Sequence, residues 1–469
     1  MAQSPLQTRS LGLKILAVGL IVVLLAIPLM FVNILSWERA GRADSVRQEV
    51  GQTYGGAQLV RGPYLVLPVV VEEPVEFRNR EGEVTRTEYR QSRETLIVSP
   101  ERLDIDIDQQ SSVRRRAIYE VPVFDAAISL DGRFAPPDLS ALVPEFGTIN
   151  WDQAQIVLAV SDLRAIGEDL VFQVAGQDTP LAFEPQTEFD RLQGGIVAGV
   201  QGSANAGRWQ GVAAPLPGLE AGAAFDFAAR LRLSGADMLL VSASGRETRA
   251  SLQSDWPHPS FLGAYLPGER EITAEGYSAT WQVPYLARGV PGAWRAGDYD
   301  IRAVDRTAFG ARLFTPTDGY TSVGRSLKYA IFFIGFLMLM FFLIEAASRD
   351  RIHAAQYILI GLAQVVFYLL LLAFSEHMAT LLAYVTASAA TVVLTALYAA
   401  TAFRSRGKGF AVFAVLGVIY AMQYALVLLE DYALLIGAIL AFFAVALTMY
   451  VTRRLNWYDL VPDKTAPTG

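Results

Sequence analysis

The chain has 469 residues, with 39 Lys and Arg against 46 Asp and Glu, three His and no Cys; 52% of it is hydrophobic and 18% charged. The absence of Cys excludes a disulfide scaffold, a thiolate metal site, an iron–sulfur centre and a cysteine nucleophile. The charge is uneven: residues 38–325 carry 28 Arg, no Lys and 39 acids, net −11, while the rest, mostly long apolar stretches, is net +4. So acidic a polar part would repel phosphate, and nucleic acid is not an expected partner.

The first uncharged window is Ile15–Trp37, preceded by Arg9 and Lys14. At 23 residues it exceeds the ~20 needed to cross ~30 Å of hydrocarbon. It is longer than a signal-peptide core and is followed by no A-x-A site, so it reads as an uncleaved anchor, with Pro28 tolerated inside it. Residues 38–52 read as a polar helical continuation stopped by Gly55-Gly56.

From there the period is two. Glu72–Glu94 is dense in both charges and reads as a solvated hairpin or loop. Leu103, Ile105 and Ile107 alternate with Asp104, Asp106 and Asp108, a half-buried strand. The three aspartates invite a calcium reading, but Gln109 and Arg115 stand where an EF-hand loop needs Gly and Glu, so a solvated strand face is expected. Asp131-Gly132 reads as a two-residue hairpin turn, and Ser161-Asp162 as the cap of a short helix. Gly194, Gly195, Gly199, Gly202, Gly207 and Gly211 mark an expected joint, and they spell no phosphate-binding loop. Phe225, Phe227, Ala229, Leu231 and Leu233 form a second alternating run, and Tyr277, Ala279, Trp281 and Val283 a third. Between these two runs lies Asp255-Trp256-Pro257-His258-Pro259-Ser260-Phe261. Its two prolines exclude regular ladder bonding and hold an aromatic ring and an imidazole in a rigid loop. Asp255, Trp256, His258 and Phe261 are therefore a candidate recognition loop, with a packed corner between strands as the plainer alternative.

Five more windows close the chain. The expected spans are 329–348, 352–375, 378–403, 409–429 and 432–451, with 1–14 and 452–469 as terminal tails. The second span has only 16 uncharged residues, Tyr329–Ile344, and needs Glu345 at the interface, paired with Arg349 one turn later. Arg9 and Lys14, Arg349 and Arg351, Arg404 with Arg406 and Lys408, and Arg453 and Arg454 fall on one side if every window crosses; Glu376 and Glu430-Asp431 fall on the other. The positive-inside rule then places both termini in the cytoplasm and residues 38–325 in the periplasm, with Arg325 and Lys328 as an outer basic pair. No charge lies deep in any window, unlike ion-coupled carriers. Asn33, Gln356, Gln364 and Gln423 are expected to bond between helices, and Thr386/Ala390 with Ala387/Thr391 to let helices pack closely. The fold class is thus a multi-pass α-helical membrane protein, six spans arranged 1+5, with a large, mainly β, mainly antiparallel periplasmic domain in one or two lobes. His258, His353 and His377 form no metal-ligand spacing, and neither metal nor cofactor is expected.

Several strings together resemble the CreD family of bacterial inner-membrane proteins. They are Ser10–Leu29, Tyr54-Gly55-Gly56, Arg61-Gly62-Pro63, Ser254–Phe261, Trp281-Gln282-Val283, Phe314-Thr315-Pro316 with Asp318-Gly319-Tyr320, Lys328-Tyr329-Ala330, Tyr368–Leu372 and Ser375-Glu376-His377. The resemblance implies a role in cell envelope integrity, colicin tolerance on overproduction and a link to the CreBC two-component system; it implies no catalytic residue. The resulting expectation is a non-enzymatic inner-membrane protein whose partners are membrane lipids and an envelope protein, lipid or cell-wall component. The alternative is a transport or export component using the five-span bundle for a lipid or apolar cargo.

Overall fold

The computed structural model describes residues 11–78, 84–167, 170–186, 210–296, 299, 302–315, 319–348, 352–428 and 433–453. They form two compact units, one within Met1–Asp44 and Thr317–Gly469, the other within Ser45–Pro316.

The membrane unit begins with α1 (Leu11–Thr53), which continues past the apolar window and ends in the second unit. Gly55 and Gly56 follow with φ of +91° and +67°, the left-handed conformation that stops the helix as expected. Two short helices, α2 (Tyr285–Arg288) and α3 (Arg302–Asp305), belong to the second unit. The others are α4 (Gly319–Ser348), α5 (Ala354–Ser375), α6 (Thr380–Ala402), α7 (Arg406–Leu428) and α8 (Ala433–Thr452). Five of them, α1 and α4 to α7, are long and apolar enough to cross a membrane; α8 adds 20 residues without a charge. The glycines 194–207 and the partner proposed for Glu345, Arg349, lie outside the described residues.

The bundle core follows from helical spacing. Val18, Ile21, Leu25, Leu29 and Val32 recur every three or four residues on α1 and join Ile334, Leu337, Met338 and Phe341 of α4 in one buried cluster. On α6 the buried stripe is Ala383, Ala387, Thr391, Thr395 and Ala399; Thr386 and Ala390 instead face outward, so of the two expected small pairs only Ala387/Thr391 packs. The second span is also corrected. The stretch of α4 long and apolar enough to cross a membrane is Gly319–Glu345, beginning ten residues before the uncharged window. Arg325 is accommodated inside it because Nη1 donates to the Val427 carbonyl at the end of α7 (3.5 Å), where a helix C-terminus favours a cation. The outer basic pair is therefore part of the helix, and the β unit ends at Pro316 rather than at 325.

Contacts at the helix ends show how the bundle is threaded. Lys14 donates to Glu345, whose carboxylate also accepts from the Ile352 backbone N–H (2.9 Å) and the Tyr357 hydroxyl (2.8 Å). At the other end Arg39 is 3.8 Å from Glu376, Tyr320 Oη donates to Glu376 (3.1 Å), and Gly319 lies against Ser375. Arg39 and Gly319-Tyr320 thus both meet the Glu376 end of the bundle. Midway, Tyr420 Oη donates to Gln364 Oε1 (2.8 Å), Tyr384 Oη to the Tyr420 carbonyl (2.8 Å) and Gln423 Nε2 to Tyr368 Oη (2.9 Å). Gln364 and Gln423 bond between helices as expected; Gln356 instead completes the capping box of α5 with His353.

The second unit is a two-layer β structure. Its strands are β1 (Gln58–Arg78), β2 (Val84–Val98), β3 (Arg102–Arg116), β4 (Tyr119–Phe134), β5 (Gly147–Ile149) and β6 (Gln155–Val160). There follow β7 (Val171–Val174), β8 (Glu184–Gln186), β9 (Gln210–Pro215), β10 (Phe225–Ala236), β11 (Met238–Ser242) and β12 (Glu247–Ser254). The last are β13 (Pro259–Gly263), β14 (Glu269–Ile272), β15 (Tyr277–Val283), β16 (Ala293–Arg295) and β17 (Ala308–Leu313). One sheet runs β13-β17-β11-β1-β6-β9-β8 with β2, β5 and β16 attached; the other runs β14-β15-β12-β3-β4-β10-β7. Only β1–β11 and β3–β12 are parallel among the described pairs. Apolar residues of both sheets, among them Leu65, Leu96, Ile105, Leu130, Leu158 and Trp281, share one buried cluster, so the described part is one lobe.

Asp131-Gly132 is not a turn. Both residues lie inside β4, where Gly132 pairs with Leu103 on one side and Phe227 on the other. Glycine is needed there for space: a Cβ would stand 2.4 Å from the Arg102 carbonyl and 2.7 Å from the Phe227 ring. Asp162 caps the short 3₁₀ turn Leu163–Ala165, accepting from the Arg164 N–H (3.0 Å). In the Glu72–Glu94 stretch β1 and β2 pair as a hairpin arm, exposed on both faces over residues 72–77 and 84–93.

Candidate functional site

The proline-rich loop connects β12 to β13. Trp256 Nε1 donates to the Phe314 carbonyl (2.9 Å), and the Phe314 N–H donates to the His258 carbonyl (3.1 Å). The Phe261 ring stands edge-on to Tyr277 and Trp281, at 5.6 and 5.9 Å between centroids. Trp256 and Phe261 are half-buried against the main core, so these two pin the corner. Asp255 and His258 are exposed, and Asp255 accepts from the Ser111 N–H (2.8 Å). The four candidate residues thus divide into two that build the loop and two that it presents.

Asp255 also borders a depression of about 570 Å³ where the middle of β3 meets the ends of β12, β14 and β15. Its lining includes Asp108, Asp255, Glu271 and Glu275 with no Lys or Arg. Asp108, Glu271 and Glu275 have no ion-pair partner among the described residues. Gln109, beside it on the inward face of β3, is 1% exposed; Oε1 accepts from Tyr277 Oη (3.2 Å), while Nε2 has no hydrogen-bond partner. Burial pushes the Tyr277 hydroxyl far above its ordinary pKa, with Asp255 adding to the shift, so it stays protonated and donates. Among the described residues, no three His, Asp or Glu side chains are placed to hold a metal ion.

The spacing of acids along the chain does not predict this gathering, because Asp108 and Glu271 are brought together only by sheet pairing. One signal was present. Positions 103, 105 and 107 are apolar and inward, so 109 is the next inward position of the same strand, and it holds Gln.

A second polar cluster lies beneath β1. Arg61 Nε donates to Asp305 Oδ1 (2.6 Å). The Gly62 N–H and Tyr64 Oη both donate to Ser244 Oγ, at 2.8 and 3.0 Å. Arg288 Nη1 reaches the Ser244 carbonyl (3.2 Å), and Nη2 reaches Ser99 Oγ and the Pro291 carbonyl (both 2.8 Å). Burial lowers the Arg288 pKa and raises that of Tyr64. Its partners are one another and nearby carbonyls, with the buried Arg288 Nε left without a hydrogen-bond partner.

The model of the family described as inner membrane protein CreD matches residues 10–458. The Inner membrane protein CreD of Escherichia coli (strain K12) is 32% identical over 438 residues, covering 93% of this chain and 91% of that protein. A crystal structure from Parabacteroides distasonis matches 52% of this chain and 50% of its own at 9% identity, with a TM-score of 0.20, a likeness too slight to carry an argument. With flanking apolar helices, a β-rich unit between them and a match over nearly its whole length, the chain belongs to the CreD family of inner membrane proteins.

Proposed function

We propose that the chain is a non-enzymatic envelope protein, anchored so that its β unit faces the periplasm and both termini face the cytoplasm, and that it supports envelope integrity by binding an envelope component through that unit. The observation that carries the reading is the Trp256–Phe261 corner, in which half-buried contacts hold a rigid frame and leave Asp255 and His258 outward. The clustering of Lys14, Arg404, Arg406 and Lys408 at one set of helix ends and of Glu376 at the other supports the orientation. A photo-crosslinking amino acid at His258 in living cells should capture an envelope protein, lipid or cell-wall fragment; crosslinks confined to this chain would remove the reading. Because the chain has no Cys, single cysteines at Glu88 and Arg406 give a clean sidedness test: a membrane-impermeant maleimide should label only the first in intact spheroplasts. The carrier alternative gains no support from the bundle interior, where Phe367, Tyr368, Tyr384 and Tyr420 pack on one another.

A further inference from the structure

We propose that two copies of this chain join through the outer edge of β2, strand against antiparallel strand, about a two-fold axis at Tyr89. This pairing is independent of what the Trp256–Phe261 corner binds.

The β1–β2 ribbon is an open arm. From Glu73 outward on β1, and up to Arg93 on β2, the two strands pair only with each other among the described residues. Both faces are exposed there, and a lone two-stranded ribbon is marginal in water. Two more strands would make it a four-stranded sheet.

The free edges are not alike. β7, β8, β13 and β14, at the sheet ends, have four, three, five and four residues, and short edges resist unwanted pairing. The β1 side of the ribbon is blocked by Pro74, which has no N–H, and by Glu72, Glu73 and Glu76. The β2 side runs for ten residues, Val84–Arg93, with neither Pro nor Gly. That edge is left able to pair.

Its charges select the partner. Arg86, Glu88 and Arg90 alternate in sign at every second position. Between two copies of one antiparallel strand the axis must pass through a residue, because directly opposed residues share one hydrogen-bonding sense. An axis on Arg86, Glu88 or Arg90 sets like charges face to face, and one on Gln91 opposes Glu88 to Glu94. An axis on Tyr89 sets Glu88 against Arg90 twice, Thr87 against Gln91 twice and Arg86 against Ser92 twice. It also brings Tyr89, 70% exposed in the single chain, against its own copy as a cross-strand aromatic pair. Arg90 has no ion-pair partner among the described residues, and the second copy supplies one. An axis on Thr87 also avoids like charges but pairs only Val84–Arg90, and the test below separates the two.

The test uses the full chain purified in detergent, where light scattering after size exclusion should show two chains per particle. The chain has no Cys, so introduced thiols report cleanly. A short bis-maleimide should join Tyr89→Cys to its copy. It should not join Val75→Cys, which lies on β1 and is at least three strand spacings, about 14 Å, from its mate. Glu88→Arg and Arg90→Glu should each raise the dimer dissociation constant about tenfold, because each opposes two pairs of like charges. Mixing these two variants should restore the parent's affinity, since each then supplies the sign its partner lacks at both pairs. All four positions are exposed, so the substitutions leave the core untouched. A monomer at every concentration overturns the proposal, as do equal crosslinking at 75 and 89 and a failure of mixing to rescue. Arg90→Glu that dimerises like the parent overturns the Tyr89 axis. A Tyr89→Cys chain that the reagent joins in cells to a different envelope protein, and not to its own copy, overturns the choice of partner.

Discussion

The β unit contains two polar clusters that differ in how completely they are partnered. Around Ser244, the side chains of Arg61, Tyr64, Ser99, Ser242, Arg288 and Asp305 use one another and nearby carbonyls, with only Arg288 Nε left over. Around Gln109, three carboxylates and one buried amide donor are left without protein partners. The first arrangement is what a fold requires, since a buried guanidinium survives only where acceptors surround it. In the second the exposed carboxylates keep their water, and only the buried Gln109 amide carries the cost of an unpaired donor. The strings by which the chain resembles its family fall largely on the first kind of feature. Arg61-Gly62-Pro63 closes the Ser244 cluster, Trp256 of the proline-rich string meets Phe314 of another, and Gly319-Tyr320 meets Ser375-Glu376. Recognisable sequence here marks distant segments that must meet during folding.

Substitutions that break this contrast should separate by size. Gly132→Asn has the largest expected effect. Asn suits a tight turn, but inside β4 its Cβ meets the Arg102 carbonyl and the Phe227 ring, and a cost of more than about 3 kcal/mol should leave the β unit unfolded by limited proteolysis. Arg288→Met comes next. It strands Ser99 Oγ and two carbonyls, and a loss of about 2–4 kcal/mol should lower the thermal unfolding transition in detergent by several degrees. Trp256→Phe keeps an aromatic ring, smaller than the indole, and removes the bond to Phe314, for about 1 kcal/mol. Smallest is Glu271→Gln with Glu275→Gln, within about 0.5 kcal/mol of the parent in the same melt. A clear stability loss there would show that the open cluster supports the fold and would collapse the distinction between the two.

How much was legible in the sequence depends on the range of the interaction. Local periodicity placed β3, β10 and β15 and the polar extension of α1, because a strand face or a helix stripe is written in consecutive residues. Gly132 misled because a glycine after Asp signals a turn locally, whereas here it answers the Phe227 ring across a sheet. Arg325 misled because a charge normally ends an apolar span, and its acceptor at Val427 lies 102 residues away. The proline-rich loop was visible by composition, but its division into Trp256 and Phe261 as supports and Asp255 and His258 as presented groups depends on Phe314, Tyr277 and Trp281. The depression needed three strand ends and the middle of β3 brought together, and only the polar residue at an inward position, Gln109, hinted at it.

The contact between Lys14 and Glu345 also sets a schedule for biogenesis. The two residues are separated by 331 positions. At a synthesis rate of ~5–20 residues per second, the first helix waits roughly 15–70 s in the bilayer before its carboxylate is made. During that interval its lysine must be held by water, headgroups or the insertion machinery, and the whole β unit is translated before the bundle can be completed.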